Sequence, residues 1–401
     1  MMASGRSLVA VFWVVFLAGL VYVVVFLQVE APEPVMFNGS VIGIGYIEMW
    51  DNYSRCVSLF EDIIELEVNR YAEEIGSDVR FDYVVVHADD SSSSLRRVQE
   101  FDSVGVRYVI GTNCVACTSY HYIMEHDMML VSSRSRQPDF NMVDEHMFRV
   151  CPHDGDQGNA IARVLEVRNI SRVAVLRRGD SWADGVFEVF SDEYGGSILV
   201  DVRYAAESVE FSDELDELES VISETGSDVG LLLLSFAEVE AIFEQASEYQ
   251  AVFDVPWFGA DATAKLDESK YVDSVEGFEQ VGLYSVAHTV EYGEKWDWLA
   301  SSYLNLTGVY PVTRVGYDYD AAWLYALTLL EAESFDRSVL AETMPVVGAG
   351  YRGATGFVRL DGAGDRVNAC YDVWGYVEVD GVTVCRRVGF VDGSGFVVWF
   401  E

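Results

Sequence analysis

The sequence predicts an α/β protein built from two doubly wound lobes of mainly parallel sheet. Three observations carry this. The chain has 401 residues, half of them apolar, too many for one typical domain and enough for two with separate cores. Short apolar runs alternate with amphipathic segments in two successive series, the pattern of repeated β-α-β units. Neither series repeats at a solenoid period.

In the first series VIGIGYI (41–47), FDYVVV (81–86), RYVIG (107–111) and MMLVS (128–132) read as buried strands, and 56–75 as an amphipathic helix. The second series begins near residue 155. Its strands are RVAVLRR (172–178), SILVDVRY (197–204), GLLLL (230–234) and PWFGA (256–260). Between the second and third of these, Leu215, Leu218 and Ile222 form one helical stripe. From residue 355 onward, apolar and polar residues alternate around Asp-Gly pairs, which predicts antiparallel hairpins. Ligands of doubly wound folds bind beyond the carboxyl ends of the strands. The loops 46–55, 87–92, 111–119, 132–138, 178–184, 234–238 and 259–264, and the cleft between two lobes, are therefore where a site is expected.

Residues 7–27 carry no charge and follow Arg6, so they read as one transmembrane helix with the chain from about residue 30 outside. The alternative is a cleaved signal, although no Ala-x-Ala pattern follows. The first cysteine is Cys56, which speaks against a lipid anchor on an N-terminal cysteine. Residues 28–40, with two prolines, are a linker. Four Asn-x-Ser/Thr sequons, at Asn38, Asn52, Asn169 and Asn305, fit an external location. The net charge is −40, with three lysines, which excludes nucleic acid and anionic lipid surfaces as partners. Such a surface suits a solvated protein in high salt; a specific cationic partner is the sharper alternative.

Several motifs invite chemistry. The pair Cys114 and Cys117 has Cys-x-x-Cys spacing, open to redox, metal or incidental readings. External placement permits disulfides, such as Cys114 with Cys117 or Cys56, and Cys370 with Cys385. Gly348, Gly350 and Gly353 match Gly-x-Gly-x-x-Gly but precede a strand-like run and open no helix. His121 and His126 are one residue too far apart for a helical metal pair. Asp89 and Asp90 read as helix-capping residues rather than an acid–base pair. Arg134 and Arg136 follow a strand in a chain poor in cations. They serve either a ligand anion or pairing with surface acids.

The order of these pieces resembles the substrate-binding proteins of branched-chain amino acid ABC importers, of the leucine/isoleucine/valine-binding type. The pieces are VGVRYVIG (104–111), MFRVCPHDGDQGNAIARVL (147–165), RVAVLRRGDSWADGVFEVFSDEYGGSI (172–198), GYDYDAAWLYALTLLEA (316–332) and GATGFVRLDGAGDR (353–366). The resemblance implies a type I periplasmic-binding-protein fold with three crossings. Lobe one would hold 41–153 plus 286–352, and lobe two 154–285 plus 353–401. It implies a ligand carboxylate at Ala116, Cys117, Thr118 and Ser119, on backbone N–H groups at a helix start. Arg134, Ser135 and Arg136 occupy the second carboxylate loop, where small residues and a threonine are usual. That departure suggests an additional acidic group on the ligand. Trp182 and Ser235 or Phe236 match positions that close over the ligand, against the alternative of lobe packing. Asp261 matches the acid that holds a ligand amine, against the alternative of a helix cap. Tyr53 matches an aromatic wall.

These features lead to an extracytoplasmic solute-binding protein, anchored by its N-terminal helix, that takes an amino acid or related carboxylate. It would close by hinge motion and meet a permease and its ATPase. No enzyme activity, metal or cofactor is implied. A sensory ectodomain with the same clamshell is the second reading, and a thiol oxidoreductase using Cys114 and Cys117 the third.

Overall fold

A computed structural model describes residues 11–17, 20–26, 37, 39–49, 52–112, 115–136, 147–226, 228–266 and 277–400. The chain before Asn38 is one compact unit and Asn38–Glu401 another. In the first, Val11–Leu17 (β1) pairs antiparallel with Leu20–Phe26 (β2), Leu17 opposite Leu20. The transmembrane helix expected over 7–27 is thus not formed. No helix among the described residues is long and apolar enough to cross a membrane. Valine and aromatic residues dominate both runs, and these favour strands over helices. Most of the expected linker 28–40 lies outside the described residues.

Among the described residues the larger unit holds two large sheets and one small two-stranded sheet. The first comprises Val41–Glu48 (β3), Arg80–His87 (β4), Tyr108–Gly111 (β5), Met129–Ser132 (β6) and Met147–Arg149 (β7). All are parallel, in the order β4-β3-β5-β6-β7. The second contains Arg172–Arg178 (β8), Ser197–Tyr204 (β9), Val229–Leu234 (β10), Trp257–Gly259 (β11) and Tyr284–Thr289 (β12), parallel in the order β9-β8-β10-β11-β12. Both read 2-1-3-4-5, so each lobe has a topological switch point: between β3 and β5 in the first, and between β8 and β10 in the second.

Strand alternation explains the second core. Leu231 and Leu233 join Leu215, Leu218 and Ile222 of helix Ser212–Ser223 on one face. Leu232 and Leu234 join Val164, Val186 and Phe190 on the other. Both faces are covered, as a parallel sheet requires.

Two short strands, Arg352–Gly353 (β13) and Gly356–Phe357 (β14), pair with each other. The expected C-terminal hairpins then form, from Cys370–Val379 (β15), Val382–Val391 (β16) and Val397–Trp399 (β17). Asp380 and Gly381 both have positive φ, 53° and 80°, as the two-residue turn between β15 and β16 demands. These strands extend the second sheet antiparallel from β12. Because β12 lies between β11 and β15, residues 286–289 stay with the second sheet, and the expected start of a lobe-one segment at 286 moves past Thr289. The register also separates Cys370 from Cys385. Cys370 faces Thr289 on β12, whereas Cys385 faces Tyr376, six residues along β15, or about 20 Å at strand rise. A Cys370–Cys385 disulfide is therefore excluded.

After β12 the chain returns to the first sheet. The buried helix Thr313–Ala332 lies against it: Tyr325 donates to the Val109 carbonyl, and Tyr83 to that of Ala322. Buried charges fasten the last crossing. Arg149, fully buried at the end of β7, holds Asp365 through two bonds of 2.7 Å. Arg366 donates to the carbonyls of Val150 and Phe357 at 2.9 Å. Asp320 accepts from the backbone N–H groups of Ala354 and Thr355 at 2.6 and 3.0 Å. A Cβ on Gly353 would lie 2.0 Å from the Asp320 carboxylate, so this glycine permits a close approach. The Gly-x-Gly-x-x-Gly match is a packing feature here: Gly348 and Gly350 lie at the end of a helix and Gly353 ends β13.

Candidate functional site

The carboxyl ends of β3, β5 and β6 carry the first lobe's share of the site. Helix Val115–Glu125 follows β5 and contains Ala116, Cys117, Thr118 and Ser119. Cys117 is exposed. Thr118 Oγ1 lies 3.0 Å from the Ser94 hydroxyl, on the neighbouring helix Ser91–Ser103. Ser119 is buried, and its hydroxyl has no partner among the described residues. Cys114 falls outside the described residues, so the Cys-x-x-Cys geometry is not on view. Asp90 caps helix Ser91–Ser103, its carboxylate accepting from the Ser93 N–H at 2.7 Å; the capping expectation is met. Tyr53 is half exposed, against the His87 ring, and donates to the Val85 carbonyl at 3.1 Å.

The arginine loop divides. Arg134 turns into its own lobe, where it pairs with Asp318 and donates to the Tyr46 hydroxyl at 2.9 Å. Ser133 and Tyr46 donate to the same carboxylate at 2.6 and 3.1 Å. Burial pushes the Asp318 carboxyl up, with Arg134 pulling the other way. Arg134 is therefore paired with an acid, as one of its two readings held, but in the interior rather than at the surface. Ser135 is buried, and its carbonyl accepts from Arg149 at 3.3 Å.

Arg136 goes across the cleft instead. Its Nη1 lies 2.9 Å from Asp261 Oδ2, beyond β11, and 3.3 Å from Asp154 Oδ1. It donates to His288 Nδ1, on β12, at 2.7 Å. Burial alone would lower the Arg136 pKa, but Asp154 and Asp261 raise it overall. Burial, then the charge of Arg136, lowers His288 to about 3, so its imidazole is neutral and accepts through Nδ1. Burial raises Asp154 to about 6, against the opposing pull of Arg136. Asp261 is held from behind by Gln157, which accepts from its N–H at 2.7 Å. The acid expected to hold a ligand amine thus holds a guanidinium of the same chain.

These two titrations have opposite signs. The neutral His288 contributes stability above its ordinary pKa of 6.5, which is lost as pH falls toward 3. The Asp154 contribution is full below the ordinary carboxylate value of 3.8 and is lost as pH rises through about 6. His288→Gln removes only the first. Its melting temperature relative to the parent should rise as pH drops from about 7 to about 5, by calorimetry. A falling difference would contradict the neutral imidazole.

The second lobe adds an aromatic platform at its switch point. The Trp182 and Phe236 rings lie 4.5 Å apart, tilted by 39°. Arg178 sits 4.4 Å from the Phe236 ring and is ion-paired with Asp180 and Glu238. Ser235 is buried between β10 and Phe236. The structure therefore brings Trp182, Ser235 and Phe236 together on one lobe, and joins Arg136 to Asp261 between lobes. Sequence reasoning missed His288, Asp154 and Gln157. The run DGDQ (154–157) was quoted for the resemblance, but nothing local marks Asp154 as an arginine partner.

The chain matches the family model described as "Receptor family ligand binding region" over residues 66–378. A protein of Methanocaldococcus jannaschii, named only as uncharacterized protein MJ1266, is 24% identical over 367 residues, covering 84% of this chain and 86% of that one. Among solved structures, a substrate-binding protein of Desulfitobacterium hafniense in complex with Leu has a TM-score of 0.60 at 20% identity, over 86% of this chain and 99% of that one. The isoleucine complex of LivJ from Streptococcus pneumoniae has a TM-score of 0.55 at 18% identity, over 87% and 99%. A solute-binding protein of Rhodopseudomonas palustris HaA2, in complex with p-hydroxybenzoic acid, has 0.60 at 15% identity, over 88% and 98%. At these identities the structures are similar in fold. The family match covers well over half of the sequence, and with a 2-1-3-4-5 parallel order in each of its two large sheets the chain belongs to the receptor-family ligand-binding-region family, of type I periplasmic-binding-protein-like fold.

Proposed function

We propose that this protein is an extracytoplasmic solute-binding protein of an ABC importer, taking a small carboxylate without an α-ammonium group between its lobes. The observation that carries the reading is the bond between Arg136 and Asp261. A ligand ammonium would have to displace a guanidinium that Asp154 also holds, whereas a ligand without one leaves the pair intact. Helix Val115–Glu125 supplies N-terminal N–H groups and the Ser119 hydroxyl for a carboxylate. Trp182 and Phe236 supply apolar faces for the ligand body. Ligand-driven closure would then present the surface a permease reads. The uncharged run 7–27 behind Arg6 supports export to the outer face of the membrane.

Calorimetric titration of the full chain with benzoate, p-hydroxybenzoate, leucine and isoleucine tests this. The amine-free acids should bind, and Trp182→Ala should weaken them on the order of tenfold or more. Tighter binding of leucine would overturn the ligand class. Failure of every small carboxylate would overturn solute binding itself.

A second reading, a sensory ectodomain, is favoured by the receptor description of the family model. Co-purification with a permease and ATPase supports import; co-purification with a kinase or receptor subunit supports sensing.

A further inference from the structure

A second cavity, of about 630 Å³, lies away from the interlobe cleft. It opens where β15–β17 extend the second sheet, three strand spacings or about 14 Å beyond β10. None of the cleft residues named above lines it. Its volume falls in the range of small-molecule sites, roughly 300–1,000 Å³.

The lining has a consistent chemistry. Arg387 lies between two aromatic rings, 4.7 Å from the Tyr292 centroid and 5.1 Å from that of Phe400. Among the described residues its ion pair is a single 3.3 Å contact from Nη1 to Asp372, which leaves donors on its other nitrogens available. Arg359 lies 5.1 Å from the Phe357 ring and has no acidic partner among the described residues. Arg359 and Arg387 thus line one cavity together in a chain with a net charge of −40. The acids nearby are already engaged. Glu291 holds Arg352, and Asp392 accepts from the N–H groups of Ser394 and Phe396 within its own turn. Phe357 is 39% exposed and Tyr292 50%, so apolar faces stand open beside the two guanidinium groups.

We propose that this cavity is a second ligand site, taking a flat aromatic molecule that carries a carboxylate. The ring would stack among Phe357, Tyr292 and Phe400, and the anion would meet Arg387 and Arg359. The wall is part of the hinge. The Glu291 N–H donates to the Thr355 carbonyl at 3.3 Å, joining the second crossing to the third. Gly356 adopts φ +101°, and a Cβ there would come within 2.7 Å of Glu291. An occupant therefore touches two of the crossings between the lobes, at Glu291 and Thr355. On the proposed solute-binding reading, it would shift the balance between open and closed forms and so the affinity of the cleft.

The probe is naphthalene-2-carboxylate, titrated into the full chain carrying Trp182→Ala to weaken the cleft. One equivalent should bind, and adding Arg359→Gln or Arg387→Gln should each weaken it about tenfold. The neutral amide of the probe should bind as weakly as the charged probe binds the variants. Arg359 is exposed, so its variant should melt like its parent and bind cleft ligands unchanged. No binding to the Trp182→Ala protein, or binding by both arginine variants as tight as by the Trp182→Ala parent, overturns the second site. Either result leaves the cleft proposal to its separate titration.

Discussion

Asp365→Ala is expected to cost about 3–5 kcal/mol of folding stability, read as a lower midpoint in urea denaturation. The substitution leaves the Arg149 guanidinium fully buried without the carboxylate it holds through two 2.7 Å bonds. The Ser135 carbonyl, 3.3 Å away, also accepts from the guanidinium but cannot neutralise its charge. Arg149 also donates its backbone N–H to the Gly364 carbonyl at 2.9 Å, so the strain falls where the third crossing meets the end of β7. The double variant Arg149→Met with Asp365→Leu removes both charges and should recover most of the loss, since a buried pair is costly to break but not to replace. A loss below about 1 kcal/mol for Asp365→Ala would mean that water reaches the guanidinium.

Arg136→Gln is expected to open the cleft. The arginine is the positive centre of a group in which Asp154 and Asp261 lie 3.3 and 2.9 Å away on the second lobe. Without it, two carboxylates face each other and the first lobe loses its grip. The pair is partly exposed, so the cost to the closed form is about 1–3 kcal/mol rather than the full price of a buried charge. Small-angle scattering of the unliganded protein should show a larger radius of gyration, and affinity for a cleft carboxylate should fall about tenfold or more. Combining Arg136→Gln with Asp261→Asn removes one of the facing charges and should restore part of the closure. A compact variant with parental affinity would show that the pair does not hold the lobes.

The strands were legible because buried parallel strands are short apolar runs, and VIGIGYI and GLLLL are hard to read otherwise. The turn at Asp380 and Gly381 was legible for a local reason as well: few residue pairs tolerate two positive φ values. β12 was not legible. Its sequence, Tyr284–Thr289, mixes serine and histidine into the apolar pattern. It becomes a strand because β11 and β15 flank it and complete its hydrogen bonds. The N-terminal run misled for a different reason. Length and lack of charge describe a membrane helix, but valine and aromatic residues form a strand pair as readily.

The site divides along the same line. The strand pattern marked the loops 178–184 and 234–238, and the family resemblance picked out Trp182 and Phe236 within them; the structure places both rings at the switch point of the second sheet. Arg134 and Arg136 stand two residues apart, and nothing in the sequence tells them apart. One is buried against Asp318, 184 residues away; the other reaches Asp261, 125 residues away, on the opposite lobe. The sequence by itself determined the strands, their helices, the hairpin turn and the loops that face the cleft, because those follow from local pattern. Only the tertiary structure decided which arginine spans the lobes, where the last strands pair and which acid is already occupied. Charge pairing depends on distance in space, and these partners are brought together only by the fold.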